Sequence, residues 1–213
     1  MEIKNKEGKV IFTGDKLQGL SFRDAKLCNA NFHGLDLSGS EFFESDFKNA
    51  DFSYANLLYV NLEGSNLEGA KFCNAIMNGV NLVGANLVGA NLIGVLLQNA
   101  NLCGANFAGA KLNNSDLSNS NLSNANFEYA NLFYANLHNS NLNSTNLTSA
   151  NLERSNLHNV KLEDSNLTGV NLRMADLTGV ELHKTNLENV DLRDAKISKK
   201  KKEYAKSKGA IVD

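Results

Sequence analysis

Seven side chains in this chain of 213 residues are of the types that most often bind metals or act as nucleophiles: three cysteines and four histidines. The cysteines, Cys28, Cys73 and Cys103, are odd in number and widely spaced. Such a set is a poor disulfide framework and a poor zinc site, and the histidines do not cluster with it. Scattered free thiols fit a reducing compartment, so the sequence predicts a cytoplasmic protein.

Two of the histidines, His138 and His158, are 20 residues apart. If the chain coils with 20 residues per turn, this spacing places them on one face and on adjacent turns. Two imidazoles can share a metal ion, but no third ligand of a suitable type accompanies them. The sequence therefore predicts no metal site and no cofactor.

No catalytic constellation is present either. The chain has no nucleophile–base motif, no phosphate-binding loop and no carboxylate pair set apart by its context. A strictly repeated sequence also lacks the long loops on which active sites usually form. The sequence therefore predicts a protein that is not an enzyme.

The sequence also gives little indication of a secretory signal or of a membrane-spanning segment. The opening residues, MEIKNKEGKV, are polar and unlike a secretory signal. Residues 72–110 hold no charge, but Asn or Gly interrupts them every two or three residues. No run of about 20 apolar residues results, so we expect no transmembrane span.

One period sets the elements that position all of these side chains. From Phe12 to Ile197 every fifth residue is large and apolar, and the 38 sites hold 27 Leu, nine Phe, Met77 and Ile197. Two residues before each site stands Ala (17 sites), Ser (8), Val (8) or Thr (2), with three exceptions. The motif is A-(N/D)-L-x-x.

A period of five excludes the two regular elements as continuous structures. A helix of 3.6 residues per turn would rotate every fifth residue around its axis, and a strand would send alternate sites to opposite sides. A short extended piece that bends after every five residues keeps all sites on one side. Phe pairs recur five times at an offset of 20 and once at 15. The four pairs at 10 do not decide, but a coil of only two repeats has no room inside. We therefore expect four faces, with one coil for every four repeats.

The unbroken array, over residues 10–199, resembles the pentapeptide-repeat proteins. The resemblance implies an all-β fold, a right-handed quadrilateral β-helix (a β-solenoid) of about nine coils of about 20 residues. A short C-terminal helix follows from an N-cap candidate, Ser198, and a closing Gly209. The expected organisation is an N-terminal cap (1–11), the repeat body (12–197) and a C-terminal helical cap with a basic tail (198–213). Val10 and Ile11 are expected to cover the first coil.

Several outward positions depart from a polar exterior and are candidates for an interaction surface. Five apolar residues form a belt over all four faces in the middle of the rod, although the tolerance of Val in strands explains them better than a docking site does. Aromatic residues form two further groups, and scattered surface aromatics are normal. The candidates are Ile76, Val83, Val88, Ile93 and Leu96 in the belt, Tyr54 and Tyr59 before it, and Tyr129, Phe133 and Tyr134 after it.

Two more sets of residues have an expected structural role. On the fourth face Asn recurs at every twentieth position from Asn66 to Asn186, and we expect these amides to form a hydrogen-bonded column. At the C-terminus, Tyr204, Ile211 and Val212 are expected to fold over the last coil as a lid or to contact a second copy in a homodimer.

The leading functional interpretation is a non-catalytic scaffold or binding protein that acts through the surface of the rod on an unknown protein partner. The alternative comes from the resemblance, since some pentapeptide-repeat proteins bind gyrase and topoisomerase as DNA mimics and give quinolone resistance. The opening FTGDK (12–16) and the ending KGAIV (208–212) are similar to theirs. However, residues 11–197 hold 19 acidic and 12 basic side chains, a net −7 that is modest for a phosphate mimic.

A third interpretation uses the basic tail, in which Lys199 to Lys202 could contact nucleic acid or an anionic membrane. A solvated helix end explains these lysines as well, so the sequence predicts neither partner.

Overall fold

The computed structural model describes residues 2–5, 7–8, 10–13 and 17–213. The regular elements are β1 (Glu2–Asn5), β2 (Val10–Thr13), β3 (Ser21–Arg23), β4 (Ala30–Asn31), β5 (Glu41–Phe43) and α1 (Lys199–Ser207). Between β5 and α1 the chain is a succession of isolated bridges and turns. This succession is where the repeat lies.

With one exception near the C-terminal end, parallel bridges join the repeats to the fourth repeat after them, from Lys26 and Asp46 at one end to Asp191 and Ile211 at the other. The fold is therefore a β-solenoid, as predicted, and bridged repeats lie one above another. Because four repeats separate bridged partners, the repeats form four stacks. We number them by their members near the middle: the first stack holds residues 150–154, the second 155–159, the third 160–164 and the fourth 165–169.

Each repeat turns a corner two residues after its apolar site. Every fifth residue from Gly19 to Asp194 has a positive φ, and 23 of these corner residues are not glycine. The N–H that follows the corner donates to the carbonyl of the apolar residue, as from Val60 to Leu57 (3.2 Å). A type II β-turn requires a positive φ at its third residue, which is the corner residue here. The corner resets the strand alternation, which lets one residue in five point inward throughout.

The apolar sites fill the inside of the solenoid. Described side chains at these sites from Phe32 to Leu192 have at most 2% of their surface exposed. The rings of Phe32, Phe52 and Phe72 stack in one column, with centroids 4.6 and 5.0 Å apart. These rings are Phe pairs of the 20-residue offset noted in the sequence; the side chain of Phe12, which has the same offset from Phe32, lies outside the described part.

Serine and threonine at the small inward site are buried as well, and each keeps a hydrogen bond. The Ser140 hydroxyl donates to the Leu137 carbonyl (2.6 Å), and Thr145 does the same to Leu142 (2.6 Å). Among the described residues, no buried side-chain nitrogen or oxygen lacks a partner. Serine and threonine can therefore replace alanine at this site, because a main-chain carbonyl of the same turn or of the preceding coil accepts from the hydroxyl.

Asn or Asp before the apolar site forms hydrogen bonds in two directions. The Asn86 amide nitrogen donates to the Asn66 oxygen one coil earlier (3.2 Å), while the Asn86 oxygen accepts from the Val88 N–H of its own corner (3.3 Å). The predicted column on the fourth face is thus present over part of its length, since Asn166 and Asn186 bond to threonines instead. The other three stacks contain similar ladders, which the sequence analysis did not anticipate.

The N-terminal end is covered by strands of opposite direction. β1 pairs antiparallel with both β2 and β4. Ile3 is buried, whereas Val10 is 39% exposed. The expected covering role of Val10 is therefore wrong, because β2 is the outer strand of this sheet; the side chain of Ile11 lies outside the described residues.

The C-terminal helix is present as predicted and returns the chain to the solenoid. The Ser198 hydroxyl accepts from the Lys201 N–H, and Gly209 follows the helix with φ of 92°. After α1, the Leu192 N–H donates to the Ile211 carbonyl (2.8 Å) and the Ile211 N–H donates to Val190 (2.8 Å). Residues 210–212 thus resume a coil, with Val212 packed against the core in the column of Leu192.

Candidate interaction surface

Residues 72–110, which we call the waist, form a band without a charged side chain across all four stacks. Ile76 and Leu96 are bridge partners in the second stack and are 39% and 38% exposed. Ile93 in the first stack is 36% exposed, while Val83 and Val88 are half-buried. The predicted belt therefore lies on the outside, but its apolar area is greatest on the second stack.

Tyr59 extends the waist toward the N-terminus. It is a corner residue with φ of 55° and is 75% exposed. Its ring lies over Gly79, where an added Cβ would be 2.5 Å from the Tyr59 Cδ1. Leu58 of the same repeat is half-buried, and Ile76 lies one coil further in the same stack. Tyr54 is on the neighbouring first stack and makes an edge contact with His33 (5.5 Å).

The second aromatic group lies beyond the waist. Phe133 and Tyr134 meet edge to face with centroids 4.6 Å apart, and Tyr129 occupies the preceding corner. Arg154 donates to the Tyr134 hydroxyl (2.6 Å) and lies 5.6 Å from its ring centre. Phe133 and Tyr134 therefore have ring and hydrogen-bond contacts within the chain.

The ladder opens at one place near the C-terminal end. Within the described part, Lys161 and Glu181 lack the bridge found between other repeats of the third stack, and the Asp164 N–H donates to the Lys184 carbonyl, one residue out of register. A cavity of about 290 Å³ results, lined in part by Lys161 and His183. Residues 180–184 are the last of their stack, and α1 rather than another coil lies beyond them. The opening is thus an effect of the solenoid end.

Carboxylates in the ladder are held as anions by their neighbours. Burial alone would raise the pKa of Asp176, but hydrogen bonds from Thr178 and Lys196 outweigh it and lower the pKa to about 2. The pKa of Asp116 is lowered by the same balance, with Ser118 as the first donor. These carboxylates bond to their own corners, which is a structural role.

Some lysines of the basic tail form ion pairs with carboxylates, and the remaining lysines lie on the outer surface of α1. Lys201 pairs with Glu181 (2.9 Å) and Lys202 with Asp213 (2.8 Å), and both lysines are half-buried. Tyr204 and Ile211 remain exposed, whereas Val212 is partly buried. Part of the tail therefore packs against the solenoid, and part of it faces outward.

Groups of three or more His, Cys, Asp or Glu that could hold a metal are absent from the described residues. The one helix in that part of the chain, α1, is too short and too polar to cross a membrane. The three cysteines are free and half-buried.

Comparison with known proteins identifies the repeat. The sequence matches the family model described as pentapeptide repeats, in eight copies, over residues 12–42, 44–69, 65–102, 85–124, 120–159 and 155–194. A search of the curated proteins found no match.

Solved structures of similar proteins include three of interest. HetL, a pentapeptide repeat protein involved in heterocyst differentiation regulation from the cyanobacterium Nostoc sp. strain PCC 7120, is 28% identical over 82% of this chain and 90% of its own, with a TM-score of 0.40. AT2G44920, a pentapeptide repeat protein from the Arabidopsis thaliana thylakoid lumen, is 26% identical over 53% and 80%, with a TM-score of 0.51. QnrB1, a plasmid-mediated fluoroquinolone resistance protein, is 20% identical over 89% and 97%, with a TM-score of 0.58, a likeness of fold alone.

The family match spans nearly all of residues 12–194, and the same residues form the stacked corners and the filled interior. This chain therefore belongs to the pentapeptide repeat family.

Proposed function

We propose that this chain is a non-catalytic binding protein that docks another protein on its waist. The observation that carries the proposal is the band from 72 to 110, without one charged side chain and with Ile76, Ile93 and Leu96 exposed. The cores of protein interfaces are depleted in charge and enriched in apolar and aromatic side chains. A docking surface on a rod of this kind has that composition.

Two further features favour close contact at the waist. Six of its eight corner residues are glycine, so its edges carry few side chains that would hold a partner away. Tyr59, exposed at the border, is of the residue type that most often contributes a large share of binding energy. Its ring rests on Gly79, which limits the rotamer freedom lost on binding.

The proposed form of the rod is a right-handed quadrilateral β-helix of about nine coils. The regular spacing of the bridges and the corner in every fifth residue support four sides per coil. At about 4.8 Å per coil, nine coils would give a rod of roughly 45 Å. The waist would then be a band of about two coils near its middle.

The test compares waist variants with variants at equivalent positions elsewhere. Val88 and Thr148 occupy the same position of the fourth stack, and Ile93 and Asn113 the same position of the first. Proteins captured from the native cell should be re-purified and titrated against the wild type and both pairs. Val88→Glu with Ile93→Glu should weaken binding at least about tenfold, since a charge buried at an interface is left unpaired.

Thr148→Glu with Asn113→Glu is the matched control and should bind like the wild type. Equal affinity of the waist variant and the wild type for every captured partner would refute docking at the waist. Unchanged melting of both variants shows that the fold is intact.

The alternative, a DNA mimic that binds gyrase or topoisomerase, is disfavoured by charge. A duplex carries one negative charge per roughly 1.7 Å, so about 45 Å of it would carry some 26 charges. Residues 11–197 reach −7 (12 basic minus 19 acidic). The third stack holds seven acidic and three basic residues, whereas the first holds four and five, so the negative charge is also confined. A gyrase supercoiling assay with ciprofloxacin decides: rescue at micromolar protein would restore this alternative.

For the C-terminal end we propose a cap that also forms a homodimer contact. Val212 packs on the core, while Tyr204 and Ile211 stay exposed beside it. Light scattering after size-exclusion chromatography should give twice the monomer mass, and Ile211→Lys should return it to 23.2 kDa. A monomeric wild type would leave the cap as the sole role. The free cysteines Cys28, Cys73 and Cys103 support a cytoplasmic location.

A further inference from the structure

Two imidazole rings lie against each other on the second stack. The ring centroids of His138 and His158 are 5.2 Å apart, and the planes are inclined by 22°. The main chain fixes this spacing, because the Asn119 N–H donates to the His138 carbonyl (2.9 Å) and the Asn139 N–H donates to the His158 carbonyl (3.0 Å). The two side chains are therefore held in register by the solenoid ladder.

The ring nitrogens of this pair are not used by the fold. Each backbone N–H donates to the side-chain oxygen of the asparagine two residues before, Asn136 or Asn156. Within the described part of the chain, no hydrogen bond of a ring nitrogen accompanies these main-chain contacts. Both side chains are half-buried on the outer wall, so solvent reaches them.

We propose that His138 and His158 together bind one divalent transition-metal ion of the class that prefers imidazole, namely Zn²⁺, Ni²⁺ or Cu²⁺. Imidazole nitrogen suits these ions, and metal–nitrogen distances of about 2.0–2.1 Å require the two rings to tilt toward one point. The second torsion of histidine is broad, so this tilt has a low cost. Water completes the coordination.

The sequence predicted no metal site because a third protein ligand is missing. A closed structural site does need further protein ligands, four in all. An open two-imidazole site requires only two preorganised nitrogens and an accessible side, and the ring stacking and the unused nitrogens supply both. The bound ion would clamp two successive coils of the second stack.

The chain offers internal controls, since its other two histidines are isolated. His33 makes an edge contact with Tyr54 (5.5 Å), and His183 lies 3.6 Å from Glu181. Neither has a second imidazole one coil away. His33→Asn and His183→Asn should leave metal binding unchanged.

The experiment titrates Ni²⁺ alone into untagged protein by isothermal calorimetry. His138→Asn or His158→Asn should weaken the affinity at least about tenfold, because the second imidazole otherwise binds intramolecularly at a high effective concentration. Asn already occupies the equivalent place in other repeats, at Asn113 and Asn143, so these variants should fold. Wild-type affinity no better than that of either single variant would overturn the proposal.

A register variant separates the pair from the number of histidines. Thr178 is exposed in the same column, one coil beyond His158. His158→Asn combined with Thr178→His keeps four histidines but moves the second ring two coils, about 9.6 Å, from His138. This double variant should lose the tight site, whereas Thr178→His alone should keep it. Retention of wild-type affinity by the double variant would equally overturn the proposal.

A second readout is the melting temperature in Ni²⁺. An ion that binds only the folded chain raises stability with its concentration. The wild type and the His33→Asn variant should show the rise, and the His158→Asn variant should not. A rise of the same size in all of them would place the ion elsewhere and refute the site.

Discussion

In the waist, six of eight corner residues are glycine, whereas residues 111–195, which we call the second half, have two glycines among 17 corners. The waist has no charged side chain, and the second half has 16. Yet Leu92 in the one and Leu132 in the other are equally buried, with 0% and 1% of their surface exposed. The inward positions therefore maintain the same coil while the outward ones vary freely.

The corners show how each region manages the same backbone. In the second half, corner side chains join neighbouring coils, as when Asn159 donates to Asn139 (3.3 Å) and Asn139 to Asn119 (3.4 Å). In the waist, Gly94 leaves room for the side chain of Asn74, one coil earlier. Glycine at these corners therefore leaves room for side chains of the neighbouring coil and also permits a positive φ. A band with few corner side chains needs no change in the core.

The largest expected effect tests whether the two regions share one core. Leu92→Asp and Leu132→Asp should each remove cooperative folding, because a buried unpaired carboxylate costs more than about 4 kcal/mol. Thermal melting followed by circular dichroism measures this. Asn91→Asp is the outward control and should melt near the wild type, since Asp51 occupies the same column. An unchanged melting temperature for either leucine variant would contradict the inward packing.

The next effect concerns the amide ladders, which differ between the regions. Asn146 in the second half donates to Asn126 and accepts from both the N–H and the hydroxyl of Thr148. Asn91 in the waist accepts from the Ile93 N–H. We expect Asn146→Ala to cost about 2 kcal/mol and Asn91→Ala about 1 kcal/mol, because Asn146 loses more hydrogen bonds. Urea unfolding compares them, and a larger loss at Asn91 would reverse the inference.

A smaller effect separates space from φ at the glycine corners. Gly79→Ala and Gly84→Ala both place a side chain at positive φ and should each cost about 1 kcal/mol. At Gly79 the new Cβ would also displace the Tyr59 ring, whereas a Cβ added at Gly84 would have no atom within 4 Å beyond its chain neighbours. The excess at Gly79 should vanish in a Tyr59→Ala background. An excess that persists without the ring would show that another contact causes it.

The smallest effect concerns the stability of the fold in acid. Titrating carboxylates contribute to it only outside the waist, since the waist has no charged side chain. The pKa of Asp176 is lowered to about 2, below its usual 3.8. The ionised carboxylate therefore adds to the free energy of unfolding above pH 4, and this stabilisation is lost as the pH falls through 2. Since Lys196 is largely exposed, we expect about 1 kcal/mol rather than the full value of the shift. Asp176→Asn should flatten the urea-unfolding free energy between pH 4 and pH 2. The same slope in the variant would exclude Asp176 as the source.

Much of the fold was predictable because every repeat has the same pattern of large apolar, small and corner residues. The spacing of the apolar residues predicted the solenoid, and Ser198 with Gly209 predicted α1. The return of the coil at 210–212 was missed, although Val212 falls one full coil after Leu192, because the helix interrupts the count. Val10 was misjudged because an antiparallel pairing outside the repeat has no period to reveal it.

The candidate surface was predictable only as a set of unusual residues. The sequence located the belt but not the unequal exposure of its residues. That exposure depends on how deeply each side chain is buried in its stack. It also located the two histidines one coil apart. That their rings stack while their nitrogens form no bond could be seen only with the side chains placed.

The sequence by itself determined the coil, because a large residue at every fifth position and a corner two residues later can satisfy burial and backbone bonding in one way. The tertiary structure alone decided which side chains of successive coils meet, where the ladder opens beside residues 180–184, and how the two ends are covered. The physical reason is that burial is repeated in every pentapeptide, whereas contacts between coils join residues four repeats apart and depend on the actual side chains at both.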